Sequence, residues 1–236
     1  MDILWPAMMH FARIYSPVTT PSGIRGYIHI STHCVGFADR MQEMTASEPL
    51  FVSSPTSIRA GSFARTCQAA HLLGRVIRHK NDQSLEPLFR LSEAAQLYRT
   101  IRALSLLLLA ELNASRDVGT ATALCYSSLM VLCKCYSCPE TIRGQNPREE
   151  MEMQETALNG RKAAARDVVG FAQHLKLSMA FNIASASPLT SDCLYQAAAN
   201  HAWLSRESGA AESAEATNEI RGALRMLDGR WRVAGK

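Results

Sequence analysis

The string Cys133-Lys134-Cys135-Tyr136-Ser137-Cys138 is the densest group of chemically capable side chains in this sequence, a C-x-C-x-x-C with Cys125 upstream and Cys193 downstream. Thiolates at such spacing serve as zinc ligands, but a structural zinc site takes four ligands, usually as two well-separated pairs. No second pair stands elsewhere in the chain. At helical spacing Cys125, Leu129 and Cys133 share one stripe, so these thiols read as small buried hydrophobes near a helix end. His29 and His33, followed by Cys34, form an i, i+4 pair able to grip a metal on a helix. No carboxylate follows in the HExxH manner, and a surface histidine pair is the plainer reading. A nucleophilic serine or cysteine would need a sharp turn and a base beside it. There is no G-x-S-x-G, no glycine-rich phosphate loop and no glycine-framed cysteine.

The cationic clusters Arg75, Arg78, His79, Lys80 and Arg161, Lys162, Arg166 could touch phosphates. The first suits a solvated helix end, where cations favour the dipole, and the second reads the same way. Ser16, Thr20 and Ser54 each precede or neighbour a proline and are candidates for phosphorylation in a leader segment. No residue is therefore assigned a catalytic, cofactor-binding, metal or DNA-binding role, and the chain is expected not to be an enzyme. A thiol or metal enzyme would require bound metal or a low-pKa cysteine in a cleft.

The elements that must position these residues follow from composition and periodicity. With 236 residues, 47% of them apolar, the chain can bury a substantial core. Its net charge of +4 is dispersed, which does not indicate a nucleic-acid surface. Seven cysteines, an odd number, follow an N-terminus with no secretory pattern. That combination suits a reduced intracellular compartment and argues against a complete disulfide framework.

Residues 1–60 carry prolines at 6, 17, 21, 49 and 55 and are expected to form a loosely ordered leader. Periodicity does not choose between helix and strand over Tyr27–Met44. From Gly61 onward every segment reads as helix. The first, Ser62 to Lys80, has Ser62 as candidate N-cap and a stripe of Phe63, Cys67, Ala70, Leu73, Gly74 and Ile77. The next begins around Ser84–Pro87 and runs into Ser92–Asn113. There Ile101, Leu104, Leu106, Leu107, Leu108, Leu109 and Leu112 cover every side, predicting the central helix of the core. Arg102 and Glu111 bracket an apolar run too short for a membrane span.

A third helix, from Ser115–Asp117 to Lys134, turns Ala121, Leu124, Cys125, Leu129 and Leu132 inward. A long fourth, Arg148 to Ala184, aligns Ala164, Val168, Phe171, Leu175, Met179 and Ile183. A fifth, with Ser191 as candidate cap, holds Leu194, Ala197, Ala198, His201 and Leu204. A sixth, from Glu212, gathers Ile220, Ala223, Leu224, Leu227 and Trp231. The fold class is all-α, a multi-helix array of antiparallel helices, with residues 61–236 as one helical domain.

Two groups of strings carry a resemblance. SFARTCQAAHLLGRVIRHKND (62–82) with EAAQLYRTIRALSLLL (93–108), and SPLTSDCLYQAAANHAWL (187–204) with LRMLDGRWRVAG (224–235), resemble the fungal-specific regulatory domain, or middle homology region, of fungal binuclear zinc-cluster transcription factors. The likeness spans about residues 61 to 235 and corresponds to the C-terminal portion of that domain. It implies a helical regulatory module, a nuclear setting, and protein partners, other domains of a regulator or a small effector. Such factors usually carry a six-cysteine cluster opening Cys-x2-Cys-x6-Cys, which no cysteines here match. Zinc and sequence-specific DNA binding are thus expected only in the cluster of full-length relatives, not in this chain. Relatives also usually continue into a further apolar helix where Gly235-Lys236 ends this one. The alternative from periodicity alone is a helical protein–protein interaction module unrelated to transcription.

Overall fold

The computed structural model describes residues 60–82, 84–114, 117–138, 147–181, 186–208, 211–229 and 231. The chain divides at Gly61, and the unit from there on contains, among its described residues, six helices and no strand. These are α1 (Ser62–Asn81), α2 (Pro87–Asn113), α3 (Gly119–Tyr136), α4 (Pro147–Phe181), α5 (Thr190–Ser208) and α6 (Ala211–Asp228). No helix among the described residues is long and apolar enough to cross a membrane.

Local chemistry sets the ends. Gly61, not Ser62, is the N-cap of α1, while Ser62 accepts the Thr66 hydroxyl through its carbonyl. Asp82 ends α1 and accepts both the backbone N–H and the hydroxyl of Ser84 on Oδ1, at 3.0 and 2.6 Å. Glu86 then caps α2, its carboxylate accepting from the Leu88 and Phe89 amides, with Pro87 at the first helical position where its missing N–H costs nothing. Ser187 and Pro188 supply the carbonyls that accept the Thr190 and Ser191 hydroxyls at the start of α5, so Ser191 lies inside the helix with its hydroxyl donating backward and is not the cap.

The centre of the bundle is α3, not the leucine-rich α2. It packs against α1, α2, α4 and α5, and every residue from Ala121 to Met130 is buried. Small side chains make this possible: Ala121, Thr122, Ala123, Ser127 and Ser128 let four neighbours approach one helix. The hydroxyls of Thr122 and Ser128 donate to the carbonyls four residues back, at 2.9 and 2.7 Å, so they need no partner on another helix. In α2 only Ala94, Leu97, Ile101, Ser105, Leu108 and Leu112 are buried, and Leu106 is 52% exposed. A run of leucines thus covers the side of a core whose middle interleaves these small residues with Leu124, Tyr126, Leu129 and Met130.

Of the predicted faces of α4 and α6, Ala164, Val168, Phe171, Leu175 and Met179, and Ile220, Ala223, Leu224 and Leu227, are buried, while Ile183 lies outside the described residues. In α5, Leu194, Ala197 and His201 are buried, with Ala198 and Leu204 at the edge. Trp231 ties the end of α6 inward by donating Nε1–H to the Ala186 carbonyl at 3.0 Å. The stripe expected for α1 is rotated. Phe63 is 59% exposed, and the inward residues are Arg65, Gln68, Ala69, Leu72, Leu73, Val76, Ile77 and His79. Three of those are polar, and each is answered from another part of the fold or from a neighbouring turn.

Candidate functional site

Where α1 ends, α2 begins and α3 closes, their polar side chains meet. His79 lies in the last turn of α1 with its side chain fully buried. Its Nδ1 is 2.7 Å from Glu93 Oε2 on α2, and its Nε2 is 2.6 Å from the Tyr136 hydroxyl on α3. A carboxylate can only accept, so Nδ1–H donates to Glu93. In the neutral ring Nε2 then accepts the phenolic proton. The other oxygen of Glu93 accepts from Arg75 Nη2 at 3.5 Å, and the Arg90 guanidinium lies against the phenol. The outcome is one continuous chain, Arg90, Tyr136, His79, Glu93, Arg75, drawn from three helices.

Carboxylate, imidazole and hydroxyl in this order are the parts of a proton relay. Burial, however, pushes the Tyr136 phenol up to about 12, against the lowering pull of Arg90. An activated nucleophile needs the opposite shift. The arrangement holds the phenol in its neutral, hydrogen-bonding form and clasps the three helices together.

A second polar tie closes the other end of the α1–α2 pair. Arg65, 4% exposed, donates from Nη2 to Glu111 Oε1 at 2.8 Å, from Nε to both Glu111 oxygens, and from Nη1 to Gln68 Oε1 at 3.0 Å. Because Arg65 meets Glu111 and His79 meets Glu93, α1 and α2 run antiparallel. Farther round the bundle, Arg102 on α2 pairs with Asp167 on α4 at 2.5 Å, and Lys176 on α4 with Glu219 on α6 at 2.6 Å. Arg161 donates to Asn200 and Ser137 and stacks its guanidinium over Trp203, 4.9 Å from the ring centre.

These contacts revise the reading of the cationic clusters. His79 is a buried link, Arg75 and Arg161 are paired, and Arg78, Lys80, Lys162 and Arg166 remain on the surface. The C-x-C-x-x-C string splits in the same way. Cys133 is buried, as Cys125 is two turns before it, Cys135 is half-buried in the final turn of α3, and Cys138 is exposed beyond it. Burial raises the Cys125 and Cys193 thiols and pushes Cys133 up to about 12. Among the described residues no three His, Cys, Asp or Glu side chains are placed to hold a metal ion. His29, His33, Cys34, Ser16, Thr20, Ser54 and the leader to which they belong lie outside the described residues.

Sequence reasoning missed the clasp because it placed the buried stripe of α1 one residue away. Arg65, Ala69, Leu72, Val76 and His79 recur at three- and four-residue spacing and could have been read as a stripe containing two polar residues. No family model, no curated protein and no solved structure matches the chain.

Proposed function

We propose that residues 61–236 are the helical regulatory module of a transcription regulator, acting in the nucleus by binding rather than by chemistry. Its partner would be a protein, another domain of a regulator or a small effector, and zinc and sequence-specific DNA contact would belong to a separate six-cysteine cluster. The reading rests on the resemblance to the fungal-specific regulatory domain. The observation that supports it is where the resembling strings lie in the fold. Leu72, Leu73 and Val76 of the first string, Leu97, Ile101 and Leu108 of the second, and Cys193, Leu194, Ala197 and His201 of the third are all packing residues. Trp231 of the fourth fastens the end of α6 to Ala186. Strings shared with a helical domain would be expected to lie in its helix-packing positions.

One observation favours a binding role unconnected with transcription. Leu88 and Phe89, adjacent in the first turn of α2, are 45% and 59% exposed, an apolar pair of the kind partner helices cover. The two readings separate in one experiment. The full chain, fused to an unrelated DNA-binding domain and expressed in a fungal host, should change reporter transcription, and the change should vanish in an unfolded Leu108→Asp control. A soluble, nuclear fusion that leaves the reporter unchanged across nutrient conditions, while the chain copurifies with cytosolic partners, would replace the regulatory reading with the interaction module.

A further inference from the structure

We propose that Cys135 and Cys138 form a redox-active dithiol at the end of α3, converted by a hydroperoxide into an intramolecular disulfide. Tyr136 is the last helical residue and Ser137 keeps right-handed helical backbone (φ −83°, ψ −3°). Helical geometry over that turn brings the Cα atoms of Cys135 and Cys138 to about 5 Å, inside the bridging range of about 4.4–6.8 Å. Positions three apart also lie on one face. The two thiols differ in access: Cys138 is exposed and Cys135 half-buried. That is the division of labour between an attacking and a resolving cysteine.

The alternatives within reach are poorer. Cys133, two residues before Cys135, points to the other side of the helix and is buried. Cys67 lies twelve residues along α1 from His79, which touches Tyr136, and is thus about 18 Å away. Lys80, Arg90 and Lys134 surround Cys135 with positive charge that favours its thiolate, while burial opposes them and prevails. The exposed Cys138 is therefore the first to react.

The chemistry balances with peroxide as the oxidant. The Cys138 thiolate attacks one peroxide oxygen; an S–O bond forms, the O–O bond breaks, and hydroxide leaves to take up a proton as water. The Cys135 thiolate then attacks the Cys138 sulfur; the S–S bond forms, the S–O bond breaks, and a second water leaves. Two thiols and one hydrogen peroxide give one disulfide and two waters. The Cys135 Sγ, which donates to the Val131 carbonyl at 3.3 Å in the dithiol, gives up that bond. The change falls on either side of Tyr136, and so on the clasp to His79. This inference does not depend on the regulatory reading.

The test is hydrogen peroxide titration of the reduced full chain, followed by alkylation under denaturing conditions, intact mass measurement and peptide mapping. The expected product has lost two hydrogens, carries one Cys135–Cys138 bridge and returns to the dithiol with a thiol reductant. Cys138→Ser should abolish the bridge, and Cys133→Ala should leave it. In Cys135→Ser a dimedone adduct should collect on Cys138. A bridge between any other pair, its persistence in Cys138→Ser, or conversion of wild-type Cys138 to sulfinic acid without a bridge would each overturn the proposal. Cys138 is exposed, so its serine variant is informative even where the Cys135 variant fails to fold.

Discussion

Removing one oxygen atom, by Tyr136→Phe, tests the clasp at its narrowest point. The substitution keeps the ring and deletes the hydroxyl that lies 2.6 Å from His79 Nε2. His79 remains fixed to Glu93 through Nδ1–H, so its ring does not turn to find another donor, and Nε2 is left buried without one. A stranded buried acceptor costs about 1–3 kcal/mol. For a domain of this size about 1 kcal/mol corresponds to roughly 2–4 °C in Tm, so the expected fall is about 2–12 °C. Arg90 also bonds the phenol and is half-buried, so the loss of that bond acts in the same direction. Glu93→Gln should be separately destabilising, since it removes the charge that Arg75 and His79 share. Urea unfolding of wild type, both single variants and the double variant gives the coupling between Glu93 and Tyr136 through the imidazole, expected at about 0.5–3 kcal/mol. An unchanged urea midpoint for Tyr136→Phe with an unchanged slope would show that the hydroxyl–imidazole bond contributes nothing, and additive single effects would show that Glu93 and Tyr136 are not coupled through the imidazole.

Three further expectations concern the core and its response to pH. Leu108→Asp, at a fully buried position, should abolish cooperative unfolding, because an unpaired buried charge costs several kcal/mol against a total stability of about 5–15 kcal/mol; near-wild-type thermal unfolding would contradict it. Ala123→Leu in the fully buried centre of α3 should cost about 1–3 kcal/mol by overpacking, whereas Leu106→Ala on the exposed side of α2 should stay within about 0.5 kcal/mol; chemical denaturation giving the reverse order would return the centre to α2. Stability should fall with rising pH between about 9 and 12. The Cys133 thiol and Tyr136 phenol are raised by burial from 9.0 and 10.0 to about 12, so the unfolded chain loses these protons first and stability present below pH 9 is lost on the way to 12. Urea midpoints across that range check the sign, and Tyr136→Phe should flatten the slope.

The helices were legible because their ends are written in local chemistry: Pro87 after Glu86, the acidic first turn of α4, Ser187-Pro188 before α5. Their order from centre to edge was not. Leucine density in α2 suggested the centre, yet residues that fill volume are also those that cover a neighbour, whereas a helix touched on four sides needs small ones. The legible sign was charge: in the eighteen residues of α3 only Lys134 is charged, leaving no side of the helix suited to water. The clasp was hidden for a different reason. His79 and Tyr136 are 57 positions apart and Arg65 and Glu111 are 46 apart, so a polar residue facing inward looks like one facing out until its partner is placed. Cys125 and Cys133 read correctly as core because their stripe needed no distant partner.

A helix enclosed on all sides also has a distinctive relation to time. When any single neighbour lifts away, three others still cover the remaining sides and hold its turns in place. Exchange of the Ala121–Met130 amides with deuterium should therefore proceed only through global opening and report the full unfolding free energy. The last turn, at Cys135 and Tyr136, is half-exposed and should exchange through smaller fluctuations. The same ten residues would then be the last segment that any protease, oxidant or labelling reagent reaches.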